Sequence, residues 1–358
     1  MDHGATRPAP VRRLSPSRFT NGISSGESEM AHSKVLGGRD HVNVAIVQTA
    51  PVFMNLEKSV TKACDKIAEA AAGGAQLIVF SETWLSGYPY WDEGWNSASA
   101  AWNEMRERFY DNALLIPSDH TRRLCEAAAQ ARAVVAIGCN ELDETPGVHT
   151  IYNTLLYIGS DGSILGKHRK LRPTYVEAAF WGAGRGDDLF THPTDIGRIG
   201  GLICSEHTMT LVRARMIEQG EDFHISVYPG AFDLWSGPKL EVMDDSGKFF
   251  PGYASARAHA VESGCFVLLA LSYLPEADVP ADFPMRDSLN IEYARGGSMI
   301  ISPAGVPIAG PVYGDTIIHA KCEARMIKLA KAIIDTNGSY ARKDVVTLNY
   351  HYSNRAAS

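Results

Sequence analysis

A layered α/β domain is what this sequence predicts, on three observations. Apolar runs of strand length alternate with stretches of helical spacing from residue 42 to about residue 335, the pattern of sheet layered with helices. No Pro/Gly/Ser-rich linker interrupts that region, so residues 39–335 read as one domain. The chain has 358 residues at 45% hydrophobic content, enough to bury a large core.

The elements follow in order. Residues 1–38 are rich in Ser, Gly, Pro and Arg and poor in large apolar side chains, so burial cannot offset the entropy of ordering them. A disordered tail is expected, with Met30 as an alternative start, and Asp2, Glu27 and Glu29 oppose an organellar transit role. Val42-Asn43-Val44-Ala45-Ile46-Val47 predicts the first strand. Leu56, Val60, Ala63, Cys64, Ile67 and Ala71 recur at helical spacing up to Gly73-Gly74, and Leu77 to Phe80 is the next buried strand. A helix near 119–131 is followed by strands at 133–138 and 151–158, and an Asp161-Gly162 turn leads into a strand at 163–168. A strand at 199–204, a helix near 209–219, a strand at 223–228 and a helix at 252–263 come next. Strands at 265–271, 297–302 and 315–321 and a helix near 323–335 complete the domain, and 336–358 reads as an irregular extension in oligomer contacts.

Composition narrows the function classes. Lys and Arg number 34 and Asp and Glu 41, a net charge of −7 spread along the chain, which offers no footprint for nucleic acid. No run of about 18 apolar residues exists to span a membrane, and the N-terminus lacks the apolar core of a signal peptide. The cysteines (Cys64, Cys125, Cys139, Cys204, Cys265, Cys322) are scattered without paired spacing, and most fall inside apolar patterns as small hydrophobes. A soluble cytoplasmic protein with reduced thiols is expected.

Cys204 departs from that packing role. It stands where the apolar run Gly200-Gly201-Leu202-Ile203 stops and a helix-like pattern begins. A thiol at the carboxyl end of a buried strand faces the crevice where open α/β sheets bind ligands, and N–H groups opening the next helix favour its thiolate. Two further runs end in residues of complementary use: Leu77-Ile78-Val79-Phe80 leads into Ser81-Glu82, and Ile164-Leu165-Gly166 into Lys167-His168-Arg169-Lys170. Cysteine, carboxylate and ammonium together suit covalent acyl transfer. Taken singly, each has a plainer reading: a packed thiol, a solvated strand-end carboxylate, a wet basic face. Cys204 and His207 have a Cys-x-x-His spacing, but no two further zinc ligands lie nearby. Gly182-Ala183-Gly184-Arg185-Gly186 lacks the dinucleotide spacing and reads as a flexible rim of the site, and Asn337-Gly338-Ser339 reads as a turn.

Three ordered segments carry a resemblance: Ser81-Glu82-Thr83-Trp84-Leu85-Ser86-Gly87-Tyr88-Pro89; His168-Arg169-Lys170-Leu171-Arg172-Pro173-Thr174 followed by Glu177; and Ile203-Cys204-Ser205-Glu206-His207. Ala258 to Val267, Gly296-Gly297-Ser298 and Tyr340 to Val345 extend it. Over residues 42–350 the chain resembles the nitrilase (carbon–nitrogen hydrolase) superfamily, and Gly87-Tyr88-Pro89-Tyr90-Trp91 with Arg342-Lys343-Asp344 points to its nitrilase branch. The resemblance implies a four-layer α-β-β-α sandwich with two face-to-face sheets and helices outside. It makes Cys204 the nucleophile, Glu82 the general base, Lys170 the cationic stabiliser and Glu177 a second carboxylate, with no metal or organic cofactor. It implies a small nitrile as substrate, hydrolysed to carboxylic acid and ammonia, and a homo-oligomer, either a dimer or a larger, spiral assembly. In such a site the cation keeps at least one carboxylate ionised while mutual repulsion raises the pKa of the other.

The departures bear on substrate choice. Ser205 stands where nitrilases usually carry Trp, which suggests a changed or wider pocket; Ala178 replaces a common Arg, and Arg172 stands where an apolar residue is frequent. Trp84, Tyr88, Tyr175, Trp181, Ser205, His207, Ala231 and Phe232 are the candidate pocket residues, and the aromatic content among them suits an apolar or aryl nitrile. Glu206 and His207 either orient Cys204 or make structural hydrogen bonds. Three other readings stay open: an amidase or carbamoylase using the same residues, hydration that stops at the amide, and a non-catalytic scaffold, which the presence of every catalytic position opposes.

Overall fold

A computed structural model describes residues 34–91, 96, 98–232 and 250–350. The expected tail therefore lies mostly outside the described residues, as does the end of the C-terminal extension, 351–358. The tail's inner edge differs from expectation: Val35–Gly38 forms a 3-10 turn whose Leu36 is buried in the main core, so the body starts earlier than residue 39.

In chain order the elements are β1 (His41–Gln48), α1 (Leu56–Ala72), β2 (Leu77–Phe80), α2 (Ala100–Asp111), β3 (Leu114–Leu115), α3 (Asp119–Ala131), β4 (Val134–Leu142), β5 (Ile151–Ile158) and β6 (Ile164–Arg169). There follow β7 (His192–Thr194), β8 (Gly197–Ile203), α4 (Thr210–Glu218), β9 (Phe223–Tyr228), α5 (Pro251–Ser263), β10 (Phe266–Leu271), β11 (Gly296–Ile301), β12 (Pro307–Tyr313), β13 (Thr316–Glu323) and α6 (Ala324–Ile333). The helices α1 and α3 start at Asn55 and Ser118, whose side-chain oxygens accept from the backbone N–H groups of Lys58 and Thr121.

Two sheets result. The first runs β13-β1-β2-β4-β5-β6, with β3 paired to β4, and the second β12-β11-β10-β9-β8-β7. Each has a parallel trio at its heart, β1-β2-β4 and β8-β9-β10, continued by antiparallel strands. The parallel strands are buried on both faces, which is why they read as continuous apolar runs. Alternation sorts their side chains: Val44, Ile46, Leu77, Val79, Val134 and Ala136 enter one core with Ile203, Ile225, Val227 and Leu269 of the other sheet. Ala45, Val47, Ile78, Phe80, Val135 and Ile137 enter a second core with Val60 and Ile67 of α1 and Leu124 of α3. The molecule is the α-β-β-α sandwich that the resemblance implied.

The sandwich brings the carboxyl ends of β2 and β8 and the end of β6 to one region. At 350 the described chain is tied back to α4, where Tyr350 Oη donates to Glu218 Oε2 at 3.0 Å and Lys343 pairs with Glu218 at 3.3 Å.

Candidate active site

Glu82 is placed by a close crossing of backbones. After β2 the chain passes over β4 at Gly138, where a Cβ would stand 2.3 Å from the Ser81 carbonyl oxygen and 2.4 Å from the Thr83 nitrogen. Only glycine leaves that room. Thr83 (φ 45°) and Ser86 (φ 68°) are left-handed, so the segment turns sharply after the carboxylate. Glu82 Oε1 accepts from Asn153 Nδ2 at 2.6 Å and from Lys170 Nζ at 3.2 Å. Among the described residues, Glu82 Oε2 is buried without a hydrogen-bond partner.

Lys170 is held by strand register. Its N–H donates to the Asn153 carbonyl at 2.8 Å, one step beyond the Thr154–Arg169 pair of β5 and β6. The Gly182–Gly186 loop lies on this strand end: Gly184 N–H donates to the Lys170 carbonyl at 2.7 Å, and a Cβ on Gly184 would stand 2.1 Å from the Arg169 oxygen. The loop therefore packs behind Lys170 and is not the flexible rim expected. Lys170 Nζ donates to Glu177 Oε2 at 2.7 Å and Oε1 at 3.0 Å. Glu177 sits in the 3-10 turn Tyr175–Ala179, where it also accepts from Thr174 N–H at 2.6 Å and Tyr88 Oη at 3.0 Å.

Cys204 opens a 3-10 turn, Cys204–Thr208, at the end of β8 with a left-handed φ of 51° and only 3% exposure. Glu206 holds that turn to the other sheet: its carboxylate accepts from Ile203 N–H and Leu171 N–H, each at 2.8 Å, and faces His168 Nε2 at 2.9 Å. The Cys204 sulfur and carboxylate oxygens of Glu82 and Glu177 lie within 4.8 Å of one another. A cation's place among those three is taken by the Lys170 ammonium, which already bridges the two carboxylates.

Burial dominates the electrostatics. It pushes the Glu82 carboxyl up to about 7, against the pull of Lys170 and with a smaller push from Glu177. Burial also raises the Cys204 thiol well above its ordinary value; Lys170 opposes this, and both carboxylates add to it. The resting sulfur is therefore a thiol, whereas the sequence suggested a thiolate favoured by the following turn. Burial works against the charge on Lys170, but the Cys204 sulfur once ionised and the Glu82 and Glu177 carboxylates outweigh it and hold its pKa well above the ordinary lysine value. The group can thus pass a sulfur proton to a carboxyl poised near neutrality beside a fixed ammonium.

The remaining expected pocket residues divide. Tyr88 reaches Glu177 through its hydroxyl, and its ring packs 5.4 Å from that of Trp181, whose Nε1 donates to Asn140 Oδ1 at 3.0 Å. Ala231 belongs to the same buried cluster as Cys204, and Phe232 packs against it, with its ring 6.4 Å from Tyr228. Ser205 Oγ lies 2.6 Å from Thr174 Oγ1 and so ties the Cys204 turn to the Glu177 turn. Trp84 packs 4.9 Å from Phe80, donates to the Thr49 carbonyl, and lines a small cavity together with Glu82 and Tyr88. Two depart from expectation. Tyr175 is 92% exposed on the outer side of its turn. His207 is fully buried behind the turn, with Nδ1 2.9 Å from the Cys204 carbonyl oxygen.

Asn153, Asn140 and Tyr228 were not singled out from the sequence. Asn140 and Asn153 are cross-strand partners, so one row of the first sheet presents Asn140, Asn153 and Lys170 in succession. A polar pair in two otherwise apolar strand runs was the available signal. Tyr228, at the end of β9, is buried, and its electrostatic neighbours include Cys204, Glu82 and Lys170.

Comparison with known proteins agrees with this fold. The family model for carbon-nitrogen hydrolase matches residues 43–332. The chain is 37% identical over 323 residues to Nitrilase 2 of an unknown prokaryotic organism, covering 89% of this chain and 96% of that protein. It is 32% identical over 317 residues to a bifunctional nitrilase/nitrile hydratase of Nicotiana tabacum, covering 86% and 85%. Among solved structures, Saccharomyces cerevisiae Nit3, a member of branch 10 of the nitrilase superfamily, is similar in fold with a TM-score of 0.62 at 22% identity, covering 86% of this chain and 98% of that one. With its sandwich and its buried Glu82, Lys170 and Cys204, the chain belongs to the carbon–nitrogen hydrolase family and is a hydrolase of carbon–nitrogen bonds.

Proposed function

We propose that the protein is a nitrilase that converts a nitrile and two waters into a carboxylic acid and ammonia through Cys204. The observation that carries this reading is the buried Lys170 ammonium bridging Glu82 and Glu177, with the Cys204 sulfur within 4.8 Å of both carboxylates. Glu82 takes the thiol proton as sulfur adds to the nitrile carbon, giving a thioimidate. Water adds to give a tetrahedral centre, a proton passes to nitrogen, and loss of ammonia leaves a thioester. A second water, activated by Glu82, releases the acid and returns the thiol. Lys170 stabilises the charge that develops on nitrogen and then on oxygen, while Glu177 and Tyr88 fix the ammonium's direction. Expulsion of thiolate from the tetrahedral centre would release the amide instead, and a relative named as bifunctional nitrilase/nitrile hydratase favours that as a side route.

Six free cysteines fit a reducing, cytoplasmic setting, and no helix among the described residues is long and apolar enough to cross a membrane. Self-association belongs to the same reading, with exposed Tyr340, Val345 and Val346 of the C-terminal segment available for contacts. The test is a panel of aliphatic, aryl and arylacetonitriles with their amides, scored for acid, amide and ammonia beside Cys204→Ala. Wild-type enzyme is expected to release acid and ammonia from nitriles and Cys204→Ala to release neither. Turnover confined to amides moves the assignment to an amidase.

A further inference from the structure

Behind the Cys204 turn lies a line of buried titratable groups that the hydrolysis does not use. His207 Nδ1 is 2.9 Å from the Cys204 carbonyl oxygen and its Nε2 is 3.0 Å from His224 Nε2. His224 Nδ1 is 2.8 Å from Glu221 Oε1, and His259 Nε2 of α5 is 2.7 Å from Glu221 Oε2. None of the four side chains is more than 1% exposed, so bulk solvent does not reach them and they bond to one another.

Counting protons fixes the direction of the two outer bonds. The Cys204 carbonyl and an ionised Glu221 only accept, so His207 donates from Nδ1 to the carbonyl, His224 donates from Nδ1 to Glu221, and a further proton lies between the two Nε2 atoms. Burial, with the neighbouring His224, holds His207 well below the ordinary histidine value. Burial raises the Glu221 carboxyl, but His224 and His259 outweigh it and hold it at about 2. His259, donating from Nε2, is then left with a bare Nδ1, and that atom is buried without a partner among the described residues.

The anchor meets a strained residue. Cys204 is a non-glycine residue at φ 51°, a strained conformation that persists only where its surroundings impose it. We propose that His207, His224 and Glu221 are positioning residues, a buried hydrogen-bonded line that fixes the Cys204 carbonyl and so holds the sulfur in register with Glu82 and Lys170. The inference rests on Cys204 being the nucleophile.

The experiment compares full-length His207→Leu, which fills the site and cannot donate, with His207→Asn, whose Nδ2 takes the place of the ring Nδ1. Displacing a reacting group by about 1 Å costs about 100-fold, so His207→Leu should lose kcat on that scale with KM within about twofold, and His207→Asn should regain at least about tenfold. The rate of Cys204 alkylation by iodoacetamide, read by peptide mapping, should fall and recover in the same order. A folded His207→Leu with wild-type kcat overturns the proposal. So does a His207→Asn no better than His207→Leu, because the ring would then act only by stacking on Tyr228. If the leucine variant does not fold, 15N spectra of histidine-labelled wild type decide, since a His207 without a proton on Nδ1 cannot hold the Cys204 carbonyl and overturns the proposal. Wild-type enzyme inert towards nitriles would sink the nitrilase reading, and the alkylation series would still judge this one.

Discussion

At the residue scale, a buried thiol and a buried carboxyl set the pH dependence. On the proposed mechanism Cys204 keeps its proton at rest and attack needs Glu82 as carboxylate, so kcat/KM should rise with pH through about 7 as Glu82 ionises. Glu177 is one of the groups pushing Glu82 up, so Glu177→Gln removes a negative neighbour and should move the rising limb to lower pH. The rate falls as well, because Lys170 loses its shortest carboxylate contact. A pH series of kcat/KM on both enzymes checks the sign, and a limb that stays or moves upward contradicts the electrostatic account. Glu82 and Cys204 were legible because each follows an apolar run that had to be a buried strand, whereas Lys170, which follows a half-exposed edge strand, was legible by its sequence motif. Their ionisation was not. Burial is a tertiary property; it outweighs the help the following turn was expected to give the thiolate and is a larger cause than repulsion between the carboxylates at Glu82.

At the element scale, Glu206 is the staple between β8 and the end of β6. One buried carboxylate accepts from Ile203 N–H, Leu171 N–H and His168, so the strand ends carrying Cys204 and Lys170 are tied to one side chain. Glu206→Ala leaves His168 Nε2 and two backbone donors without their acceptor, with Asp188 still facing the ring at 3.2 Å, and removing one partner of a buried pair typically costs about 3–5 kcal/mol, readable by urea unfolding. Burial disfavours the His168 charge, but Glu206 and Asp188 raise its pKa to about 10. A raised pKa contributes fully below the unfolded value of about 6.5 and is lost as pH climbs through the folded one. The gap between wild type and Glu206→Ala should therefore narrow towards pH 10. Strands such as β5 and β9 were read to the residue because apolar side chains at both ends bound them, even though Asn153, Thr154, His224 and Ser226 interrupt their runs. The sequence reading missed α2, although Trp102, Met105 and Phe109 bury at helical spacing behind the Ser99 cap. It also missed β12, an edge strand whose Pro307, Gly310 and Pro311 argue against a central ladder and which pairs with β11 through register shifts. β4 ran four residues past its expected end because Asn140 and Glu141 are polar yet buried, Glu141 by pairing with Lys167 and Arg169.

At the scale of the whole molecule, the site is divided between the two sheets. Glu82 and Lys170 belong to the first and Cys204 to the second, so their mutual distance depends on the packing layer that joins the sheets. That predicts a split between two core mutations of equal severity. Leu155 lies in the inter-sheet layer, and Ile67 lies between α1 and the outer face of the first sheet; both are fully buried. Replacing either by Ala should cost about 2–5 kcal/mol, because each leaves a cavity of similar size. The kinetic consequences should differ. A cavity at Leu155 lets β5 settle relative to β8, and a shift of a fraction of an ångström between Lys170 and Cys204 should lower kcat at least about tenfold well below the melting temperature. A cavity at Ile67 is absorbed by α1 on the far side of the sheet and should leave kcat within about twofold while lowering the melting temperature as much. Equal kinetic loss in both variants, measured at a temperature where each is fully folded, would show that the catalytic distances are set within the loops and not by the packing of sheet on sheet.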